Sequence, residues 1–356
     1  MNNEHIPVFF ELNDDLIEIT TTAVASILYN TKSFIDFYFL DTGTHSLNKS
    51  LLEKLKEQFD NFSVEYIPVD LKQFKNLKGY TQKNFLDCYA RLLIPELKPE
   101  LDKAIYLDED IIALDDIKKL WDEDLDGYEI ALCPDLGYTQ AIQQRCMSFG
   151  IPKNQIYCNA GVIIFDCKKW RENKVTKILL ELAEGIKDKI LYICEDLLNF
   201  YYRNNNLKIL NLRYNIHQLE NFIGSFCTED ITDEYIKHEW NKAVIQHLSP
   251  AKPWRIGEYN NEDLKHWSLF WFFCKMTPFF EGLSLKFLNN SNKTMLGVTL
   301  DFVCQKFIEA NLACSSENSK VVRLFGFIPL LKIKQKQNVK RIYLLGFILL
   351  LKIKTK

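Results

Sequence analysis

The chain has 356 residues, 47% hydrophobic and 26% charged, enough to bury a core that needs no disulfide or structural metal. The net charge of −3 favours no strongly charged partner, but it averages two unlike parts. Ten of the 44 basic residues and none of the 47 acidic ones lie in Ser319–Lys356, which leaves 34 against 47, a net of −13, in the body before it.

The predicted elements alternate. Ile6–Phe10 reads as a strand, Ile17–Tyr29 as a helix, and Phe37–Leu40 as a second strand ending at Asp41-Thr42-Gly43. Leu47–Phe59 is amphipathic and Phe62–Val69 is a third strand. Tyr89–Ile94 reads as a helix that Pro95 ends or kinks. Ala104–Leu107 is a buried strand running into Asp108-Glu109-Asp110. This rhythm predicts an α/β fold with a parallel, doubly wound sheet, whose ligands sit beyond the carboxyl ends of the strands. Further strands are expected at Ile130–Cys133, Val162–Phe165 and Val244–Gln246. Helices are expected at Lys168–Arg171, Val175–Ile186, Cys194–Tyr202, after Asn261, and at Thr299–Leu312. The expected organisation is a body over residues 1–280, a helical extension over 281–318 and a basic, apolar tail over 319–356.

The ten cysteines form no CxxC pair, and the start MNNEHIPVFF has neither a basic region nor a long apolar one. A reducing, cytoplasmic setting is expected. No 18-residue apolar run predicts a spanning helix. The tail carries a repeat: LFGFIPLLKIK at Leu324–Lys334 returns as LLGFILLLKIK at Leu344–Lys354. Apolar runs followed by alternating lysines suit a segment lying on an anionic membrane surface. The other reading is an edge hairpin on which lysines discourage aggregation. The acidic body, lacking any nucleic-acid-binding motif, argues against a nucleic-acid partner.

The chemistry concentrates at Asp108 and Asp110. Two carboxylates at i and i+2, sharing a face of extended backbone at a strand end, suit a hard divalent cation; a solvated acidic turn is the plainer reading. Around them stand several ordered blocks: Tyr89–Leu92 (YARL), Tyr106–Leu125 (YLDEDIIALDDIKKLWDEDL), Cys158–Arg171 (CNAGVIIFDCKKWR), Glu195–Asn199 (EDLLN), Arg213–Asn215 (RYN) and His247–Trp254 (HLSPAKPW). On these blocks the sequence resembles family 8 of the glycosyltransferases, the retaining sugar transferases of GT-A fold that include bacterial lipopolysaccharide galactosyl- and glucosyltransferases. The resemblance spans roughly residues 6–272.

The resemblance implies a mixed, mainly parallel sheet and a UDP-hexose donor, galactose or glucose first. It further implies transfer to a lipopolysaccharide or lipooligosaccharide core acceptor, with the enzyme peripheral on the inner face of the cytoplasmic membrane. Asp108, Asp110 and His247 would hold Mn²⁺ or Mg²⁺, and Lys252 would add charge at the diphosphate. Asn13 and Asp15 would meet the nucleoside, Arg91 the donor, and Asn159, Ala160 and Gly161 the sugar. Glu195, Asp196 and Asp135 would stand at the reacting centre. Three segments depart from the family pattern. Asn13 replaces an aspartate, Cys194-Glu195 replaces Asp-Gln, and the loop after His247 is one residue shorter and lacks glycine. A relative that binds nucleotide-sugar or glycan without catalysis, and a phosphohydrolase of the haloacid dehalogenase type, are the competing readings.

Overall fold

The computed structural model describes residues 5–79, 86–136, 140–148, 150–204, 206–217, 231–249, 252–254 and 264–290, and four strands between 319 and 354. The helix expected at Thr299–Leu312 lies outside the described residues. The chain divides into two compact units, Met1–Lys252 with Met276–Phe280, and Pro253–Lys275 with Glu281–Lys356.

The first unit is built on β1 (His5–Leu12), β2 (Phe34–Asp41), β3 (Phe62–Pro68) and β4 (Lys103–Leu107), which run parallel in the order β3-β2-β1-β4. Strand β1 is apolar along almost its whole length because both of its faces are covered. Val8, Phe10 and Leu12 enter one core with Val24 and Ile27 of α1 (Ile17–Asn30). Phe9 enters the other core with Tyr106, Trp170 and Leu197. The connection from β2 to β3 runs through α2 (Ser46–Glu53) and a short 3-10 helix.

Two expectations are corrected before β4. Tyr89–Ile94 is not an α-helix: Asp87–Leu93 is 3-10, and α3 (Ile94–Leu97) follows it. Pro95 stands in the first turn of α3, where a missing N–H breaks no bond, so it starts a helix instead of ending one. After β4 the parallel rhythm also stops. Asp108-Glu109-Asp110 is a turn, not extended strand, and leads into β5 (Ile111–Ala113) and α4 (Lys118–Trp121).

The sheet continues with β6 (Ile130–Pro134), β7 (Cys158–Asp166) and the two-residue β8 (Lys208–Ile209). Their order is β4-β7-β6-β8, with β7 antiparallel to both β4 and β6. Helices α5 (Gln140–Ser148), α6 (Cys167–Glu172), α7 (Val175–Ile186) and α8 (Ile193–Tyr201) accompany this half, and α9 (Asp233–Trp240) follows. A second, two-stranded sheet pairs β5 antiparallel with β9 (Ile245–His247). The fold is thus the mixed, mainly parallel α/β sheet with flanking helices.

The second unit contains α10 (Leu264–Cys274) and α11 (Phe280–Asn290), though Phe280 itself belongs to the first. Its tail is a four-stranded antiparallel sheet: β10 (Ser319–Leu324), β11 (Ile328–Lys336), β12 (Val339–Leu344) and β13 (Ile348–Lys354). The sequence repeat is a repeated hairpin. Leu324 pairs with Ile328 as Leu344 pairs with Ile348, and the register shifts after Val322 and again after Ile342. Among the described residues no helix is long and apolar enough to cross a membrane.

Candidate active site

The order β3-β2-β1-β4 makes the chain leave β1 in one direction and reach β4 in the other, and the crevice at their carboxyl ends is the natural ligand position. Arg91 ties the two strands together there. Its guanidinium is buried and meets Glu11 Oε1 from Nε at 3.1 Å and from Nη2 at 3.0 Å. Nη1 reaches Asp108 Oδ1 at 3.0 Å and donates to the Ala160 carbonyl at 2.9 Å. The Tyr106 ring packs under it at 4.3 Å, and the Tyr106 hydroxyl donates to Asp108 Oδ1 at 2.7 Å. Burial alone would raise the Asp108 carboxyl; Arg91 and His247 outweigh it and hold it below the usual range. Glu11 is raised by burial despite Arg91.

Pairing of β5 with β9 brings the acidic turn to His247. Ile111 lies opposite His247 in the register, and Leu248 N–H donates to the Asp110 carbonyl at 2.8 Å. His247 Nε2 stands 3.1 Å from Asp110 Oδ1 and 3.9 Å from Asp108 Oδ2. The Lys252 ammonium pairs with Asp110 Oδ2. One donor atom each from Asp108, Asp110 and His247 lies within 4.8 Å of the others. Two carboxylate oxygens and an imidazole nitrogen fit a divalent cation of intermediate hardness. Gly161 closes one side of this cluster. A Cβ there would lie 2.5 Å from His247 Cε1, so any larger residue would displace the imidazole.

The Asn159-Ala160-Gly161 segment opens β7 and links the cluster to α8. Asn159 Nδ2 donates to Glu195 Oε1 at 2.6 Å, and Asn159 Oδ1 accepts from Gly161 N–H and Asn215 Nδ2, both at 2.8 Å. Asn215 Oδ1 is 2.9 Å from His247 Nδ1. Glu195 lies in the first turn of α8, and its carboxyl is pushed well up, first by burial and then by Asp135 and Asp108. Asp135 directly follows β6, its N–H donating to the Tyr157 carbonyl at 2.9 Å.

Not every expected residue faces this centre. Asp196 is fully buried, and its carboxylate accepts from the N–H groups of Leu191 and Tyr192 at 2.7 and 2.9 Å and from the Tyr157 hydroxyl at 2.7 Å. Those bonds anchor the start of α8, so the structure gives Asp196 a supporting place beside Glu195. Asn13 Oδ1 accepts from the N–H groups of Asp15 and Leu16 at 2.9 and 3.0 Å, shaping the turn into α1. Its amide reaches Asp87 at 3.3 Å. Asn13 and Asp15 line a cleft of about 380 Å³ with Asp14, Thr42, Gly43, Leu71, Leu86 and Asp87. Asp14 itself is tied to the α2 entry, accepting from His45 N–H at 2.9 Å and Asn48 Nδ2 at 2.8 Å.

Glu11, Tyr106, Asn199, Asn215 and His217 also shape the site, without a motif of their own in the sequence. Glu11 had a signal, a lone acid within an apolar strand. Asn199 pins α8 to β7 through both the N–H and the carbonyl of Cys158, each at 2.8 Å. The His217 ring packs 4.9 Å from that of His247, and burial and that neighbour push its pKa down to about 3.

The family model for glycosyl transferase family 8 matches residues 7–257. A putative glycosyltransferase of Haemophilus influenzae is 26% identical over 193 residues, 54% of this chain and 58% of its own. Glycosyltransferase GlyF of Streptococcus pneumoniae is 27% identical over 243 residues, 68% of this chain and 55% of its own. The chain thus spans a little over half the length of these curated relatives. Among solved structures, an active-site Gln→Glu mutant of LgtC superposes with a TM-score of 0.63 at 25% identity, covering 74% of this chain and 95% of that one. The galactosyltransferase LgtC with donor and acceptor sugar analogues gives 0.61 at 24% identity, covering 82% and 100%, and shares the fold. A phosphohydrolase of the haloacid dehalogenase type is set aside by these matches. With the matched segment enclosing the acidic turn, β7, α8 and His247, the chain belongs to glycosyl transferase family 8.

Proposed function

We propose that the chain is a metal-dependent, retaining hexosyltransferase that moves galactose or glucose from a UDP-sugar to a lipopolysaccharide or lipooligosaccharide core. The observation that carries this reading is the convergence of Asp108, Asp110 and His247 at the carboxyl end of β4, linked through Asn215 and Asn159 to Glu195. A divalent cation held by the three residues would supply Lewis-acid neutralisation of charge on the departing diphosphate. The imidazole in the donor set favours Mn²⁺ over Mg²⁺. Lys252 adds a point charge on the same side of the site.

The chain's own residues do the rest. The cleft beside Asn13 and Asp15 receives the nucleoside, and its volume is in the range of small-molecule sites. Arg91 holds Asp108 ionised and fixed in place. Ala160 and Gly161 let the sugar approach the backbone, and Asn159 offers its amide beside it. Asp135 and Glu195 are the carboxyl groups set at the anomeric carbon, where Glu195 acts as nucleophile or stabilises developing positive charge. The tail sheet meets an anionic membrane that carries the acceptor. The ten basic and no acidic residues of Ser319–Lys356 support this reading. The test is His247→Ala or Asp108→Ala, each expected to abolish Mn²⁺-dependent hydrolysis or transfer of a UDP-sugar. Full activity in either variant contradicts the assignment.

A further inference from the structure

We propose that Asn215 is the positioning residue that holds His247 in the tautomer whose Nε2 lone pair faces the cation site, and that the backbone N–H of Gly161 imposes this choice. The inference deepens the metal-site reading above and rests on it.

Donor and acceptor chemistry fixes every group in the chain of bonds. A backbone N–H can only donate, and Gly161 N–H donates to the Asn159 side chain at 2.8 Å. That atom is therefore the amide oxygen. Asn215 approaches the same oxygen at 2.8 Å and must present its NH₂ group. Its own oxygen then faces His247 Nδ1 at 2.9 Å. An amide oxygen only accepts, so Nδ1 carries the proton and Nε2, beside Asp110 and Asp108, keeps its lone pair. At the far end the Asn159 amide has its NH₂ left to donate, and it does so to Glu195 Oε1 at 2.6 Å. One backbone group thus orients three side chains, from the cation site to the carboxyl group beside the sugar.

The backbone holds this arrangement rigidly. Asn215 is fully buried and follows the 3-10 turn Leu212–Tyr214. Ile216 N–H donates to the Ile245 carbonyl at 3.0 Å, and His247 N–H donates to the Ile216 carbonyl at 2.9 Å. The segment carrying Asn215 and the strand carrying His247 therefore bond to each other directly, so the two side chains share one frame. Partners of this kind fix the ring orientation of metal-binding histidines, and their loss weakens metal affinity by about 10- to 100-fold.

Two measurements on the full chain decide it. In the metal-free protein, at a pH where the ring is neutral, ¹⁵N shifts of His247 should show a protonated Nδ1 and a bare Nε2; the reverse tautomer overturns the proposal. In a direct Mn²⁺ titration without donor, Asn215→Leu, which removes both bonds, should raise the dissociation constant about 10- to 100-fold. Asn215→Asp keeps an acceptor for Nδ1 and should bind Mn²⁺ close to wild type, while sugar transfer falls because Asn159 loses its donor. Unchanged Mn²⁺ affinity in Asn215→Leu, or equal weakening in both variants, overturns the proposal. If Asn215→Leu does not fold, Asn215→Asp and the ¹⁵N shifts still decide. Failure of the wild-type chain to bind Mn²⁺ would instead remove the metal-site reading, and the tautomer measurement stands apart from it.

Discussion

Replacing Gly161 with alanine probes the tightest point of the site. The added Cβ would stand 2.5 Å from His247 Cε1, 2.8 Å from Asp108 Oδ2 and 2.9 Å from Asn159 Oδ1. The backbone cannot retreat easily, because the Gly161 carbonyl accepts from Asp108 N–H at 2.8 Å and its own N–H is bonded to Asn159. To regain an ordinary carbon–carbon separation the imidazole must withdraw by roughly 1 Å. Metal–ligand distances tolerate only about 0.2 Å, so that withdrawal takes Nε2 out of range. The strain of the extra methyl adds about 1–3 kcal/mol of destabilisation. The expected outcome is a folded protein of lower melting temperature whose Mn²⁺ affinity drops at least about tenfold, which is roughly 1.4 kcal/mol. Transfer should slow by on the order of 100-fold, the effect of misplacing a group by about 1 Å. Calorimetric Mn²⁺ titration, thermal melting and a UDP-release assay read the three quantities. A Gly161→Ala protein with wild-type Mn²⁺ affinity and turnover would refute the crowding argument.

Three further outcomes follow from the geometry. Arg91→Met strips the buried Glu11 and Asp108 carboxylates of their common partner and should cost about 3–5 kcal/mol in urea unfolding; a loss below 1 kcal/mol would show that the clamp matters little. Glu195 has a carboxyl raised above its ordinary 4.5, so its contribution to stability is complete below pH 4.5 and is lost as pH rises through the raised value. Glu195→Gln should therefore melt higher than wild type near neutral pH and lose that advantage below pH 4.5; a difference independent of pH contradicts the reading. Deleting residues 319–356 should release the protein from anionic vesicles while transfer to a soluble acceptor persists, and undiminished sedimentation with such vesicles counts against a membrane role for the tail.

The alternation of apolar runs made β1 to β4 and α1 legible, because strands covered on both faces read as continuous hydrophobic segments. The ordered blocks made the acidic turn, the Asn159 turn and His247 legible as one site. What the sequence hid depends on long-range pairing. Nothing local announces that β7 runs antiparallel, or that three residues of β5 pair with β9 and so deliver His247 to Asp110. Pro95 misled because its rule differs between the interior and the first turn of a helix. Asp196 could not be told from Glu195 by type or position. Its bonds from the N–H groups of Leu191 and Tyr192 and from the Tyr157 hydroxyl, which anchor the start of α8, appear only in the fold. The tail repeat was visible as a repeat, but its form, two hairpins in one sheet, required the pairing register.

Measuring UDP release from a panel of UDP-sugars, with and without Mn²⁺, tests metal-dependent sugar transfer by this site. Release from UDP-galactose or UDP-glucose should depend on Mn²⁺ and disappear in His247→Ala. Release that proceeds equally well without the cation, or that survives the loss of His247, would contradict it.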